Sequence, residues 1–131
     1  MIRVRFLPAV AIVIMALNLC ATRAHAQPHG TRITGIYSDM AMHDGDVIGD
    51  EAFILFTSHG YYVVFQHGEG EPGVPMTVPA DLHGNAISFT LPVAADPRGA
   101  FHGHIVDGIL VGHFDGNGQT LRLKRKPSYW Q

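Results

Sequence analysis

Histidine is the residue type in this chain with the clearest capacity for chemistry. Nine of the 131 residues are His, and three of them, His102, His104 and His113, lie in two short apolar-alternating runs. The runs flank Asp107-Gly108, a pair suited to a two-residue hairpin turn. Pairing across that turn sets His102 opposite His113, at a typical Cβ separation of ~4.5–5.5 Å, with His104 on a diagonal at ~7–8 Å. Three imidazoles this close predict a metal site, occupied by Zn or Cu, for which imidazole is a favoured ligand.

The surroundings of these histidines favour a second interpretation, which stays open beside the first. Arg122 and Lys124 fall on the same face of the predicted sheet, and nearby positive charge disfavours a bound cation. The same three histidines are then expected to lie on a solvated outer face. Binding of Zn(II) or Cu(II) that is lost in His102→Ala would distinguish the two interpretations.

Two other segments contain ligand-type side chains. Met40-Ala41-Met42-His43 combines thioethers and an imidazole, which suit copper, although Met is more often a packing residue. Asp44-Gly45-Asp46 with Asp50-Glu51 forms an acidic stretch, but its spacing does not match a calcium-binding EF-hand loop. A solvated turn is the simpler interpretation of this stretch.

No catalytic residue is predicted. The sequence has no G-x-S-x-G elbow, H-E-x-x-H helix or phosphate-binding glycine loop. The serines after residue 26 are not in a recognised nucleophile context; they are Ser38, Ser58, Ser88 and Ser128. A small periplasmic hydrolase therefore remains only an alternative, and the sequence favours a protein that is not an enzyme.

Strands separated by turns must position these side chains. Short β-branched and aromatic runs recur between Gly-, Pro-, Asn- and Asp-rich breakers, and no long window keeps a helical apolar period. We predict eight strands, at residues 33–37, 52–57, 61–66, 74–79, 86–91, 100–106, 109–114 and 120–125. Short connections favour sequential antiparallel neighbours, so the expected fold is all-β: an up-and-down barrel or a rolled sandwich.

The last three predicted strands share one register. Their inward face carries a set of apolar residues interrupted by two glycines: Phe101, Gly103, Ile105, Leu110, Gly112, Phe114, Leu121 and Leu123. A slip of one residue would expose the whole set, so the register is strongly specified. Gly103 beside Gly112 leaves a gap, which we expect a large neighbouring ring to fill; a ligand is the alternative.

The N-terminus predicts export. Two Arg precede an apolar run that ends before Ala24-His25-Ala26, the pattern of a cleavable signal peptide at residues 1–26. Residues 27–131 then form one β-barrel domain, in the periplasm or outside the cell, without a further transmembrane segment. Removing Arg3, Arg5 and Arg23 leaves six basic against eleven acidic residues, a net charge of −5, which disfavours nucleic acid as a partner.

The C-terminus gathers basic and aromatic residues. Four of the six remaining basic residues lie in Arg122–Lys126, followed by Tyr129 and Trp130. We expect these two rings to fold back over one end of the barrel. The alternative is an exposed tail that docks on a partner.

The strand succession resembles a known family. Gly35-Ile36-Tyr37 opens the fold, Phe101-His102-Gly103-His104-Ile105 and Ile109-Leu110-Val111-Gly112-His113-Phe114 form its last hairpin, and Leu121-Arg122-Leu123 follows. This is similar to the small calycin or lipocalin-like β modules of exported bacterial proteins. The resemblance implies a barrel with a binding role and no catalytic residues. The expected function is therefore non-enzymatic binding of a small apolar molecule or an envelope protein, with His-based metal binding as the alternative.

Overall fold

A computed structural model describes residues 32–131, which fold into nine β-strands without a helix. The predicted all-β class is therefore confirmed. The strands are β1 Gly35–Ser38, β2 Ala41–His43, β3 Asp46–Thr57, β4 Gly60–Pro72, β5 Met76–His83, β6 Ala86–Thr90, β7 Ala100–Val106, β8 Ile109–Phe114 and β9 Thr120–Arg125. Within this part of the chain, no helix is long and apolar enough to cross a membrane.

The strands close into a barrel. From β3 to β9 each strand pairs antiparallel with the next, and β1 completes the ring by pairing with both β9 and β3. Eight strands thus form a closed antiparallel barrel, and β2 is an additional strand on β3. Closure shows that the fold is a barrel and not a rolled sandwich. Within residues 32–131, the ring leaves open edges only at β2 and at the end of β4 beyond its pairing with β5.

One cation links the first strand to the last. The guanidinium of Arg125 on β9 lies 4.7 Å from the ring centroid of Tyr37 on β1 and donates to the Thr34 carbonyl at 2.7 Å and to the Tyr37 hydroxyl. Gly35 has a φ of +140°, and a Cβ there would overlap that guanidinium. The missing side chain of Gly35 therefore makes room for this contact.

The predicted register of the last hairpin is confirmed. Val106 pairs with Ile109, His102 with His113 and Phe101 with Phe114 across the turn. Asp107 and Gly108 have φ values of +49° and +73°, as a two-residue turn with both central residues left-handed requires. The apolar side chains of this sheet point inward and its histidines outward.

Aromatic rings fill the barrel interior. Phe65, Phe89, Phe101 and Phe114 form a continuous cluster with ring-centroid separations of 4.9–6.3 Å. The ring of Phe101 occupies the space over Gly103 and Gly112, where an added Cβ would come within 2.7 and 2.5 Å of its Cζ atom. The expected large ring therefore fills the glycine gap, and that ring is Phe101.

Two strands are longer than predicted. β3 and β4 have 12 and 13 residues, whereas strands are predicted only at 52–57 and 61–66, and β4 continues through a glycine-containing segment predicted as a connection. Gly68 lies in that segment: a Cβ there would lie 2.9 Å from the Val47 carbonyl oxygen, so the residue allows close pairing rather than ending the strand. The segment around Met42 is also a strand, β2, and Asp44-Gly45 is its hairpin turn to β3.

The predicted signal peptide, residues 1–26, lies outside the described residues, as do the first five residues of the predicted domain.

Candidate functional site

The two ends of the barrel differ in their connections. At one end, β3–β4, β5–β6 and β7–β8 are joined by two-residue links, and the chain enters β1 and leaves β9. At the other, which we call the open end, longer loops join β4–β5, β6–β7 and β8–β9 at residues 73–75, 91–99 and 115–119. Binding residues are often located on loops that a rigid scaffold positions, so a binding site is expected at the open end.

A three-stranded extension stands on one side of the open end. It consists of β2, residues 46–50 of β3 and residues 67–72 of β4; the β4–β5 ladder ends at the Phe65–Met76 pair. Asp39 anchors its base, because its backbone N–H donates to the Asp50 carbonyl at 3.0 Å and its carboxylate accepts from the Asp50 N–H at 2.7 Å. The extension carries His67 and Glu69 on the face that continues the barrel interior.

A buried guanidinium forms the floor of the open end. Arg98, in the β6–β7 loop, is 5% exposed, and its Cζ lies 4.7 Å from the Phe114 ring centroid and 5.2 Å from that of Phe65. It donates to the Asp96 carboxylate at 2.7–3.1 Å and to the Asp50 carboxylate at 3.1 Å. The Arg98 guanidinium thus covers the aromatic core. Its single positive charge balances one of the two negative charges of Asp50 and Asp96.

Local backbone interactions place Arg98 in this position. Leu91 is buried in the core, and its N–H donates to the Gly99 carbonyl at 3.0 Å, which closes the base of the loop. The Asp96 carboxylate also accepts the Arg98 backbone N–H at 3.0 Å, as Asp does in turns. The loop is therefore held at both ends, so Arg98 is preorganised over the barrel.

His67 connects this buried cluster to solvent. Its Nδ1 lies 2.8 Å from Asp50 Oδ1, its Nε2 lies 3.8 Å from Glu69, and its side chain is 37% exposed. Cross-strand pairing of His67 with Asp50 on β4 and β3 produces the first contact. The four side chains of Asp50, His67, Asp96 and Arg98, here called the mouth cluster, form one continuous network.

The protonation of the mouth cluster follows from its ion pairs. Burial raises the pKa of Asp96, but its hydrogen bonds to Arg98 and the charge of that cation outweigh burial and hold the pKa below its ordinary value of 3.8. Burial lowers the pKa of Arg98, whereas the two carboxylates raise it further, and the net shift is upward. Both groups are charged throughout the physiological range.

An open cavity of about 610 Å³ lies above this floor. Val74, Met76, Ala95 and Pro97 contribute apolar surface to its walls. The polar lining comes from His67, Glu69, Asp96, Arg98, Asn117 and Gln119. All three loops of the open end and the extension therefore contribute to one concave surface.

The sequence does not predict this site. Asp50 is predicted in a solvated acidic turn and Arg98 lies between two predicted strands, but Asp50 belongs to β3 and both side chains are buried. Strand alternation could have placed Asp50 and His67 on the inward face. Each lies two residues from a buried residue of its own strand, and successive side chains of a strand point to opposite faces. No local pattern marks Arg98 as buried, since its partner Asp50 is 48 residues away.

The structure brings together two of the three predicted metal ligands. The rings of His102 and His113 are opposite each other at 6.2 Å between centroids, and His104 faces Val111 instead. Asp115 lies between the first two, 3.2 Å from His102 Nε2 and 3.7 Å from His113 Nε2. In residues 32–131, no group of three or more His, Cys, Asp or Glu side chains is arranged to hold a metal ion, so the metal site stays a prediction.

The other two candidate metal segments are dispersed. Met40 is 2% exposed, whereas Met42 is 59% exposed on the edge strand β2. In the acidic stretch, the Asp50 carboxylate is engaged by Arg98 and that of Glu51 by the C-terminal segment. Neither stretch therefore offers a set of free, converging ligands.

The C-terminal segment folds back, but over the side of the barrel rather than over an end. The Ser128 hydroxyl and the Tyr129 N–H donate to the carboxylate of Glu51 on β3, the second at 2.8 Å. The indole of Trp130 donates to Gln66 on β4 at 2.8 Å and stays 56% exposed. The expected plug at a barrel end is therefore wrong, because Glu51 and Gln66 point outward.

Comparison with known proteins adds no relative. No family model matches the chain, and no curated protein or solved structure matches it. The calycin-like resemblance therefore stays a prediction.

Proposed function

We propose that this protein is an exported, non-enzymatic module that binds a small, largely apolar ligand at the open end of its barrel. The cavity over the mouth cluster is the observation that carries the proposal. Its volume of about 610 Å³ falls within the ~300–1,000 Å³ typical of small-molecule sites, and its mixture of apolar walls with a few fixed polar groups is also typical.

The ligand is expected at the mouth and not in the barrel centre. Phe65, Phe89, Phe101 and Phe114 occupy that centre, and Phe101 alone fills the glycine gap. The interior is therefore packed, as in other small barrels whose side chains fill the lumen. A ligand at the open end would rest on the outer surface of this packed layer, with Arg98 beneath it.

Charge at the floor restricts the ligand class. Asp50 and Asp96 place two negative charges against the single positive charge of Arg98, and Glu69 adds another at the wall. Arg98 already directs its donors at these carboxylates, so it offers little to an incoming anion. These contacts favour a neutral or cationic ligand over a carboxylate or a phosphate.

Export and family membership belong to the same proposal. The N-terminal run of residues 1–26 supports secretion. The closed eight-strand barrel with one loop-bearing end supports a calycin-like binding role. N-terminal sequencing of the protein recovered from the periplasm or medium tests export, and we expect Gln27 as the first residue.

A neutral fluorophore tests the cavity directly. We expect N-phenyl-1-naphthylamine to brighten on binding wild type and to bind at least about tenfold more weakly to Val74→Asp, because the new carboxylate would be desolvated against an apolar ligand. Val93→Asp is the matched control, since both valines are exposed in loops of the open end but only Val74 lines the cavity.

Each outcome of this titration decides the proposal. Binding that is weakened by Val74→Asp and unchanged by Val93→Asp supports the cavity as the site. Equal weakening by both substitutions would show diffuse binding to the loops. If wild type binds neither this probe nor any member of a panel of neutral and cationic hydrophobes, the protein is not a small-ligand binder.

A further inference from the structure

Two hydrogen-bond acceptors lie side by side on the cavity wall that the extension supplies. The Asp50 carboxylate is paired with Arg98 and only accepts, so the Nδ1 atom of His67, 2.8 Å from Asp50 Oδ1, carries the proton of their hydrogen bond. In the neutral imidazole, Nε2 then keeps a free lone pair, and it lies 3.8 Å from Glu69 Oε2. Because that distance exceeds a hydrogen bond, the imidazole nitrogen and the carboxylate both remain able to accept from a ligand.

Strand β4 holds these two acceptors at this spacing. His67 and Glu69 are two residues apart on one strand, so their side chains point to the same face, and both line the cavity. They are paired with Asp50 and Ile48 of β3. Ile48 is 43% exposed opposite Glu69, so it adds apolar surface next to the carboxylate.

The other polar groups of the lining are bonded to protein partners. Asn117 Nδ2 donates to Gln119 Oε1 at 3.3 Å, and the Gln119 backbone N–H donates to Asn117 Oδ1 at 2.9 Å. On the floor, Arg98 donates to the carboxylates of Asp50 and Asp96. The acceptor pair on β4 is therefore the part of the lining best placed to receive new hydrogen bonds.

The charge around the cavity is negative. Asp50, Asp96 and Glu69 carry three negative charges against the one positive charge of Arg98, which leaves −2 when His67 is neutral. Apolar walls reduce the screening of these charges by water, so they strengthen the attraction of a cation. A ligand that brings both a positive charge and N–H donors matches this wall.

We infer, on the basis of the function proposed above, that the ligand of this cavity is a small apolar amine. Its protonated amino group donates to His67 Nε2 and to the Glu69 carboxylate, while its hydrocarbon part lies against Val74 and Met76. A primary ammonium has three N–H donors and bonds to both acceptors at once, whereas a hydroxyl has a single donor. A trimethylammonium group has the charge but no N–H donor.

A matched series of eight-carbon compounds tests the ligand class. Isothermal titration calorimetry of the full protein measures the binding of octylamine, 1-octanol, octanoate and octyltrimethylammonium at about pH 8, where a free imidazole is neutral and an alkylamine is protonated. We expect octylamine to bind about tenfold more tightly than octanol or octyltrimethylammonium, because charge-assisted hydrogen bonds are stronger than neutral ones. Octanoate should bind most weakly.

A shorter amine tests the apolar walls. Butylamine has the same amino group but lacks four methylenes, so it buries less apolar surface. We expect it to bind at least about tenfold more weakly than octylamine. Equal binding of the two amines would contradict the inference, because the walls would then contribute nothing.

A matched pair of variants tests the acceptor. Glu69 and Glu71 are both exposed on β4, but only Glu69 lines the cavity. Glu69→Gln and Glu71→Gln change the net charge equally. We expect Glu69→Gln to lower the ratio of octylamine to octanol affinity by about fivefold or more, and Glu71→Gln to keep the wild-type ratio.

The outcomes separate this inference from the proposed function. If octanol, octanoate or octyltrimethylammonium binds as tightly as octylamine, the amine assignment is wrong, but the cavity is still a site for hydrophobes. An equal fall of the affinity ratio in both variants also overturns the inference, because the amine would then respond only to the general charge. If no compound of the series binds, the proposed function and the inference fail together.

Discussion

At the scale of single residues, Arg98 holds the floor of the open end together. Its guanidinium binds the buried carboxylates of Asp50 and Asp96, which are 46 positions apart in the sequence. It also covers the rings of Phe65 and Phe114. Buried carboxylates are tolerated only when they are paired and hydrogen-bonded. The floor of the proposed site therefore depends on this one guanidinium.

Removal of the Arg98 guanidinium should destabilise the fold. We expect Arg98→Met to lower the free energy of unfolding by about 3–5 kcal/mol, because Asp50 and Asp96 would remain buried without their cation. Urea denaturation followed by circular dichroism measures the change. Arg122→Met, on the exposed outward face of β9, is the control and should stay within about 0.5 kcal/mol of wild type. An equally small effect of Arg98→Met would mean that the mouth cluster is not buried in solution.

At the scale of elements, glycines determine how closely strands and rings approach. Gly103 and Gly112 are opposite each other on β7 and β8, and the Phe101 ring lies over both. Gly68 has the same role between β4 and the Val47 backbone. At these three positions the missing side chain therefore allows close packing, and Gly68 permits β4 to continue its pairing with β3 beyond the predicted end of the strand.

The glycine pair allows a test of the filled interior. A Cβ on Gly112 would lie 2.5 Å from Phe101 Cζ and 2.3 Å from the His102 carbonyl oxygen. We expect Gly112→Ala to destabilise the fold by about 1–3 kcal/mol through overcrowding. In a Phe101→Leu background the same change should cost less, because the ring contact is gone, and a double-mutant cycle by urea denaturation measures the coupling. Strict additivity would show that Phe101 does not fill the gap.

At the scale of the whole molecule, charge is distributed unevenly. The described residues carry eleven acids and six bases, and two of the acids, Asp50 and Asp96, are buried beside Arg98. Four exposed acids lie on the extension formed by β2, β3 and β4, and the outward face of β9 carries Arg122 and Lys124. Stability in acid is therefore expected to depend on the buried pair of Asp96 and Arg98.

Acid should destabilise the fold through the mouth cluster. The folded-state pKa of Asp96 lies below its ordinary value of 3.8, so its ion pair contributes stability that is fully present above that value and is lost as the pH falls through the folded pKa. We expect the melting temperature of wild type to drop below about pH 4. The melting temperature of Asp96→Asn should be lower than that of wild type at neutral pH and should fall less steeply in acid. Identical slopes for the two proteins would exclude Asp96 as a source of the acid sensitivity.

The sequence by itself determined the all-β class, the order of the strands and the register of β7, β8 and β9. The alternation of apolar and polar residues and the turn residues depend only on neighbours in the chain. They were therefore sufficient to predict the inward apolar residues from Phe101 to Leu123 and the outward histidines. The predicted boundaries failed where glycines serve long-range packing, as in β4.

Only the tertiary structure decided the site. Pairing of β3 with β4 brings Asp50 to His67, but only the folded barrel brings Arg98, 48 residues after Asp50, to the Asp50 carboxylate. A buried ion pair between distant residues produces no repeating pattern in the local sequence, because each residue is stabilised by a partner that only the folded barrel brings close. The same reason places the C-terminal segment on Glu51, 78 residues before Tyr129, rather than over an end of the barrel.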